Sequence, residues 1–158
     1  MSDVLATLSA SKFRRLFGVG VLLCLGFGLV YLALAHPPAA LGWQLFLLAV
    51  GVLALVLAEK MRRATQGRVV LTPEGLFDGE GRLLAPIEEI EAVERGPFAM
   101  KPSNGFTVRL SKARGRAWAP GLWWRLGSRL GVGGVTPAAQ AKVMSEALTV
   151  LMMERDEA

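Results

Sequence analysis

The sequence has little of the chemistry that catalytic and metal sites need. Its 158 residues include one cysteine, Cys24, and one histidine, His36. A single cysteine excludes an intramolecular disulfide and a cysteine metal cluster. No Ser/His/Asp set and no metal-ligand spacing can be assembled around a lone histidine far from any acid. We therefore expect a non-enzyme with no cofactor, no metal and no small-molecule substrate.

Acidic side chains form one dense group, at Glu88, Glu89, Glu91 and Glu94. Paired carboxylates can act as a general acid and base. A solvated acidic strand explains this spacing more simply, so we assign these residues no catalytic role.

Charge is absent from two long apolar runs, residues 16–35 and 41–58. As helices they would cover roughly 30 and 27 Å, close to the hydrocarbon thickness of a bilayer. Pro37 and Pro38 fall in the segment between them, where they end the first helix. The sequence thus predicts a transmembrane hairpin over residues 16–58, and the lack of charge within it argues against transport.

Basic residues flank the hairpin on both sides, and the turn between the runs has none. By the positive-inside rule both termini face the cytoplasm, which predicts a multi-pass protein of the bacterial inner (cytoplasmic) membrane. Residues 1–15 are then a cytoplasmic N-terminal segment and residues 59–66 a linker. The flanking bases are Lys12, Arg14, Arg15, Lys60, Arg62, Arg63 and Arg68.

A cleaved signal peptide is the alternative for the first run. The basic start and the small residues ending at Ala35 resemble a cleavage site, and Arg14-Arg15 partly matches a twin-arginine signal. The run is longer than the usual signal core and a second run follows at once, which favours the hairpin.

Small residues recur every fourth position in the first run, at Gly20, Cys24 and Gly28. They share one helical face and form a helix-packing groove that lets a second helix approach closely. The partner is either this chain's second helix, through Ala54 and Ala58, or another integral membrane protein.

The remaining residues, 67–158, have room for one small domain. Residues 68–72 are a β-branched run stopped by Pro73-Glu74-Gly75, which predicts a hairpin. Residues 87–93 fit either a bulged strand or one helical turn. Residues 106–110 alternate cleanly and predict a strand.

A helix is expected from residue 138 to the C-terminus. Thr136 is placed as its N-cap and Pro137 at its first position. An apolar stripe through Val143, Ala147, Val150 and Leu151, with Met144 and Leu148 beside it, would close one end of the sheet. The glycines at 131, 133 and 134 lead into this helix as a flexible connector.

This layout, with residues 68–76 and the isoleucine-rich segment 86–93 after a proline, resembles bacterial PH-like domains that follow two transmembrane helices. The resemblance implies a bent antiparallel sheet capped by a C-terminal helix, in an adaptor or regulatory role without catalytic residues. The expected fold is therefore a membrane protein with a two-helix hairpin and a small cytoplasmic α+β domain.

Charge is distributed unevenly along this domain. Residues 74–94 hold seven acids and one base, whereas residues 95–145 hold nine bases and no acid. A basic face held at the membrane would attract anionic phospholipids or an acidic partner, and no motif points to nucleic acid. The membrane-interface or partner surface is assigned to Lys112, Arg114, Arg116, Trp118, Trp123, Trp124, Arg125 and Arg129.

Residues 122–130 allow two interpretations. As a helix they would place Leu122, Trp123 and Leu126 opposite Arg125 and Arg129, a pattern of interfacial helices. Alternatively, the tryptophans pack in the domain core. From these observations we expect an accessory or adaptor subunit of a membrane complex, or alternatively a regulator that reads anionic headgroups.

Overall fold

A computed structural model describes residues 3–158. Two long helices lie between the first strand and the other strands, and a third helix ends the chain. The strands are β1 (Ala6–Ser9), β2 (Arg68–Thr72), β3 (Gly75–Asp78), β4 (Leu83–Pro86), β5 (Ile90–Glu94), β6 (Phe106–Ala119) and β7 (Trp123–Val132). The helices are α1 (Lys12–Ala35), α2 (Leu41–Ala64) and α3 (Ala138–Glu157), with a 3₁₀ turn at Ile87–Glu89.

The strands form two antiparallel sheets. One has the order β1-β2-β3-β4 and the other the order β5-β6-β7. A core of fully buried side chains, including Leu71, Phe106 and Leu148, lies between the sheets and α3. The domain is thus an α+β body in which every strand pairs with a neighbour close in sequence, except β1.

Strand β1 precedes the helices but belongs to the domain that follows them. It pairs antiparallel with β2, with Leu8 opposite Val69, and both side chains are fully buried. The prediction of residues 1–15 as a segment outside the domain is therefore wrong for β1, and residues 1 and 2 lie outside the described residues. The two helices are an insertion between neighbouring strands of one sheet.

Each of the first two helices has 24 residues and is long and apolar enough to cross a membrane. Only 17% of the most apolar stretch of each is buried, whereas a core helix of a soluble protein would be mostly buried. Tyr31 and Trp43 lie exposed near the turn between the helices.

The predicted linker at 59–66 is wrong over most of its length, because α2 continues to Ala64. Glu59 holds the last turns by accepting hydrogen bonds from Arg62 and Arg63, at the i+3 and i+4 positions. Two further residues, Thr65 and Gln66, turn the chain before Gly67 and β2.

The predicted β2–β3 hairpin is confirmed, with Thr72 opposite Gly75. Residues 87–93 combine both alternatives, since the 3₁₀ turn leads into β5, which has an irregular register between Ile90 and Ala92. The strand predicted at 106–110 is confirmed but runs on to Ala119.

The helical alternative for residues 122–130 is wrong, because most of this segment is β7. The chain after β7 is not a flexible connector. The backbone N–H groups of Gly133 and Val135 donate to the carbonyls of Leu122 and Gly121, at 2.8 and 3.0 Å. The curled β6–β7 hairpin is closed by these bonds, and the positive φ angles of Gly133 and Gly134 permit the close approach.

Helix α3 differs from its prediction in its cap and in its buried face. Thr136 is buried and donates its hydroxyl to Asn104 O (3.4 Å), so Pro137 takes the cap position without a side-chain bond. The buried face comprises Ala141, Met144, Ser145 and Leu148, so two residues predicted beside the stripe are its centre, while Val143 and Val150 are exposed.

Candidate interaction surfaces

The two long helices pack through a pair of glycines, Gly26 and Gly51. A Cβ at Gly26 would lie 2.6 Å from Leu55, and one at Gly51 would lie 2.9 Å from Val30. Hydrogen at these positions lets the backbones approach closely. The polar Gln44 side chain joins the helices near the turn by donating to Ala33 O (3.0 Å).

The predicted groove of Gly20, Cys24 and Gly28 is on the opposite side of α1. A Cβ at Gly20 or Gly28 would meet nothing within 4 Å, and Cys24 is exposed. The alternative in which this groove packs against Ala54 and Ala58 of α2 is therefore wrong. Ala58 contacts Val19 instead.

The three tryptophans predicted for the interaction surface take different positions. Trp123 is 6% exposed and belongs to the core, and Trp124 lies against the backbone of Gly131. Trp118 is 59% exposed. Of the three, Trp118 alone presents most of its side chain to the surroundings.

Three of the four arginines of the same predicted surface, Arg114, Arg125 and Arg129, are engaged within the domain. Arg114 donates two hydrogen bonds to Glu89, at 2.8 and 3.1 Å, and these bonds lower the pKa of Glu89 below its usual value. Arg125 donates to the carbonyls of Gly115 and Leu84, which ties β7 to β4. Lys112 and Arg116 are exposed.

The uneven charge along the sequence is largely balanced in space. Arg109 lies 3.4 Å from Glu91, and Arg129 lies 3.9 Å from Glu94. The first pair joins β6 to its neighbour β5, since adjacent antiparallel strands place such side chains close together, and the second reaches from β7 across β6 to β5. Glu89, Glu91 and Glu94 thus serve as ion-pair partners, and the broad basic face expected from the sequence is reduced.

The helices join the domain through a packed contact near Met61. A Cβ at Gly18 would lie 2.7 Å from Met61 Cε, and one at Gly121 would lie 3.2 Å from it. Val135 contacts this cluster, and its carbonyl accepts a hydrogen bond from Ser11 N just before α1. Helices and domain therefore meet without a free linker.

A cleft of about 790 Å³ lies beside this junction. It is bounded by the end of α2, the β3–β4 turn and the β6–β7 turn, and Trp118 lines it. Its bases Lys60 and Arg68 make no ion pair within residues 3–158, whereas Arg82 is held by Asp78 (3.1 Å). No pattern in the sequence predicted this cleft, although the basic residues after the second apolar run were a signal for it.

The described part of the chain holds no group of three His, Cys, Asp or Glu side chains that could bind a metal ion. Comparison with family models, with curated proteins and with solved structures finds no match for this chain.

Proposed function

We propose that this chain is a two-span protein of the bacterial inner membrane that serves as a non-catalytic accessory or adaptor subunit. The observation that carries the proposal is an apolar helical hairpin, exposed over most of its surface, inserted between two paired strands of a small domain. Such a surface is stable in lipid and costly in water.

Both termini would lie on the cytoplasmic side. Strands β1 and β2 pair through Ser9 and Arg68, directly before α1 and after α2. Two spans return the chain to its starting side, which agrees with this pairing. The basic residues at the start of α1 and at the end of α2 favour the cytoplasmic side.

The domain would be PH-like. A sheet of four strands, a sheet of three strands and a C-terminal helix, in that order, agree with the bent sheet capped by a helix that the resemblance implies. The same resemblance supports an adaptor role.

The docking face for a membrane partner would be the groove of Gly20, Cys24 and Gly28. It is supported by the packing of α1 on α2, which uses Gly26 and leaves this groove uncovered. Small residues at an uncovered helix face allow close packing against another helix.

The test compares complexes extracted in a gentle detergent. We expect the Gly20→Leu/Gly28→Leu chain to lose a membrane protein that co-purifies with the wild type. Ala49→Leu/Val56→Leu, which adds bulk at exposed positions of α2, should retain it. A wild-type chain that emerges alone and monodisperse would contradict the adaptor role.

A lipid-reading regulator is the second candidate, supported by the cationic cleft that Trp118 lines. In nanodiscs containing phosphatidylglycerol, the tryptophan emission of the full chain should shift relative to pure phosphatidylcholine, and salt should reverse the shift. Trp118→Phe should abolish the shift and Trp43→Phe should keep it. An equal shift in both variants would argue against the cleft.

A further inference from the structure

We propose that one anionic phospholipid binds in the groove between the bases of α1 and α2, with its phosphate at Lys12 and Arg15 and an acyl chain over Leu16 and Val19. The inference rests on the membrane placement proposed above. It concerns a groove separate from the cleft at Trp118 and from the basic surface predicted from the sequence.

The groove has a volume of about 330 Å³ and is lined by residues of both helices. Its lining joins a cationic rim to an apolar floor. Val19 packs against Ala58 and Met61, while Leu16 remains 74% exposed. The lining residues are Lys12, Arg15, Leu16, Val19 and Arg62.

The rim has positive charge that the protein does not neutralise. Lys12 and Arg15 are one helical turn apart and form no ion pair with any residue from 3 to 158. Arg62 binds Glu59 through two hydrogen bonds of 2.8 Å. Three cationic side chains therefore line the groove, and one nearby carboxylate, that of Glu59, neutralises only part of their charge. The remaining positive charge favours binding of an anion.

The position of the rim suits a headgroup. Lys12 and Arg15 come directly before the apolar part of α1, whose start is fixed by the hydrogen bond from Ser11 N to Val135 O (2.8 Å). Lys and Arg at such a depth attract the phosphates of anionic lipids. The floor lies on the side of the rim that enters the hydrocarbon, as an acyl chain requires.

The two parts of the groove together select the ligand. A soluble phosphate would satisfy the cations but leave Leu16 uncovered, and a neutral lipid would cover Leu16 but leave the cations without a partner. An anionic phospholipid supplies both contacts.

Native mass spectrometry of the full detergent-extracted chain tests the proposal. We expect the wild type to retain added phosphatidylglycerol over phosphatidylcholine, and Lys12→Gln/Arg15→Gln to weaken that preference on the order of tenfold. Lys112→Gln/Arg116→Gln removes the same charge at an exposed part of the domain and should keep the preference. Equal losses in the two variants would show general electrostatic attraction and overturn the site.

The apolar floor has its own test. Leu16→Gln should weaken phosphatidylglycerol retention without changing charge, and glycerol 3-phosphate, which has no acyl chain, should fail to displace the lipid. Displacement by glycerol 3-phosphate would identify a soluble-phosphate site and refute the proposed lipid site.

Membrane placement is tested by a separate experiment. If alkaline carbonate removed the chain from membranes, the proposed function would be contradicted, regardless of which lipid the chain binds in detergent micelles.

Discussion

At the scale of single residues, two contacts join positions of the β5-β6-β7 region that are distant in sequence. Trp124 lies against the backbone of Gly131, seven positions later in the same curled strand. Arg114 on β6 reaches Glu89 in the 3₁₀ turn before β5. Both contacts depend on a bend of the chain that brings distant positions together.

Gly131→Ala should destabilise the domain by about 1 to 3 kcal/mol, because the added methyl group enters the space of the Trp124 ring. The free energy of unfolding in detergent, followed by far-UV circular dichroism, measures the effect. Gly115→Ala is the matched control, since a Cβ there meets nothing within 4 Å. Equal stability of the two variants would contradict the packing of Trp124.

The Glu89–Arg114 pair should make stability depend on pH. Hydrogen bonds from Arg114 lower the pKa of Glu89 from its ordinary value of 4.5. The folded state therefore gains stability above the ordinary pKa and loses this gain as the pH falls through the lowered pKa.

Wild type should exceed Glu89→Gln in free energy of unfolding at neutral pH, and the two should converge in acid. Denaturant unfolding of both chains across the acidic range checks this expectation. Glu88→Gln, which removes the exposed neighbouring carboxylate, is the control. Its free energy of unfolding should fall in acid as that of the wild type does, and should likewise converge with that of Glu89→Gln. A constant difference between wild type and Glu89→Gln would exclude the pair as its cause.

At the scale of elements, β1 shows how a short strand can belong to a domain far along the chain. Leu8→Ala should cost about 2 to 5 kcal/mol, because Leu8 is fully buried in the core formed with β2 and α3. Thr7→Ala, on the exposed face of the same strand, is the control. The unfolding free energy of the domain reports both changes, and a neutral Leu8→Ala would mean that β1 does not complete the sheet.

Local patterns predicted the elements whose signals lie within one segment. The two apolar runs, the Pro73-Glu74-Gly75 turn and the alternation from Phe106 each act over a few residues, and the structure confirms them as helices, hairpin and strand. Strand β1 has only four residues and its partner follows the whole helical insertion. No local pattern could reveal that pairing.

The candidate surfaces were harder to predict for the same reason. The identities of the basic residues were evident, but their partners come from other elements, Glu89 from the 3₁₀ turn and Glu91 and Glu94 from β5. The periodicity of α1 located Gly20, Cys24 and Gly28 on one face without showing that Gly26 would be the contact with α2. Burial of Trp123 likewise depends on core residues from other parts of the chain.

At the scale of the whole molecule, the pairing of β1 with β2 restricts the topology of the proposed membrane placement. In a Cys24→Ser background, single cysteines at Thr7 and at Ser128 should show the same protection from a membrane-impermeant maleimide in intact cells. A cysteine at Ala39, in the turn between the helices, should show the opposite accessibility. Different protection at Thr7 and Ser128 would be incompatible with β1 and β2 pairing across the hairpin.

The position of β1 also has a consequence for biogenesis. The ribosome makes β1 before either helix, but β2 emerges only after both helices have been synthesised. In the membrane placement proposed above, β1 would therefore remain without its neighbour until the hairpin had been inserted and the sheet could close. Loss of the chain before Lys12 would consequently leave an exposed sheet edge for aggregation or for quality-control proteases.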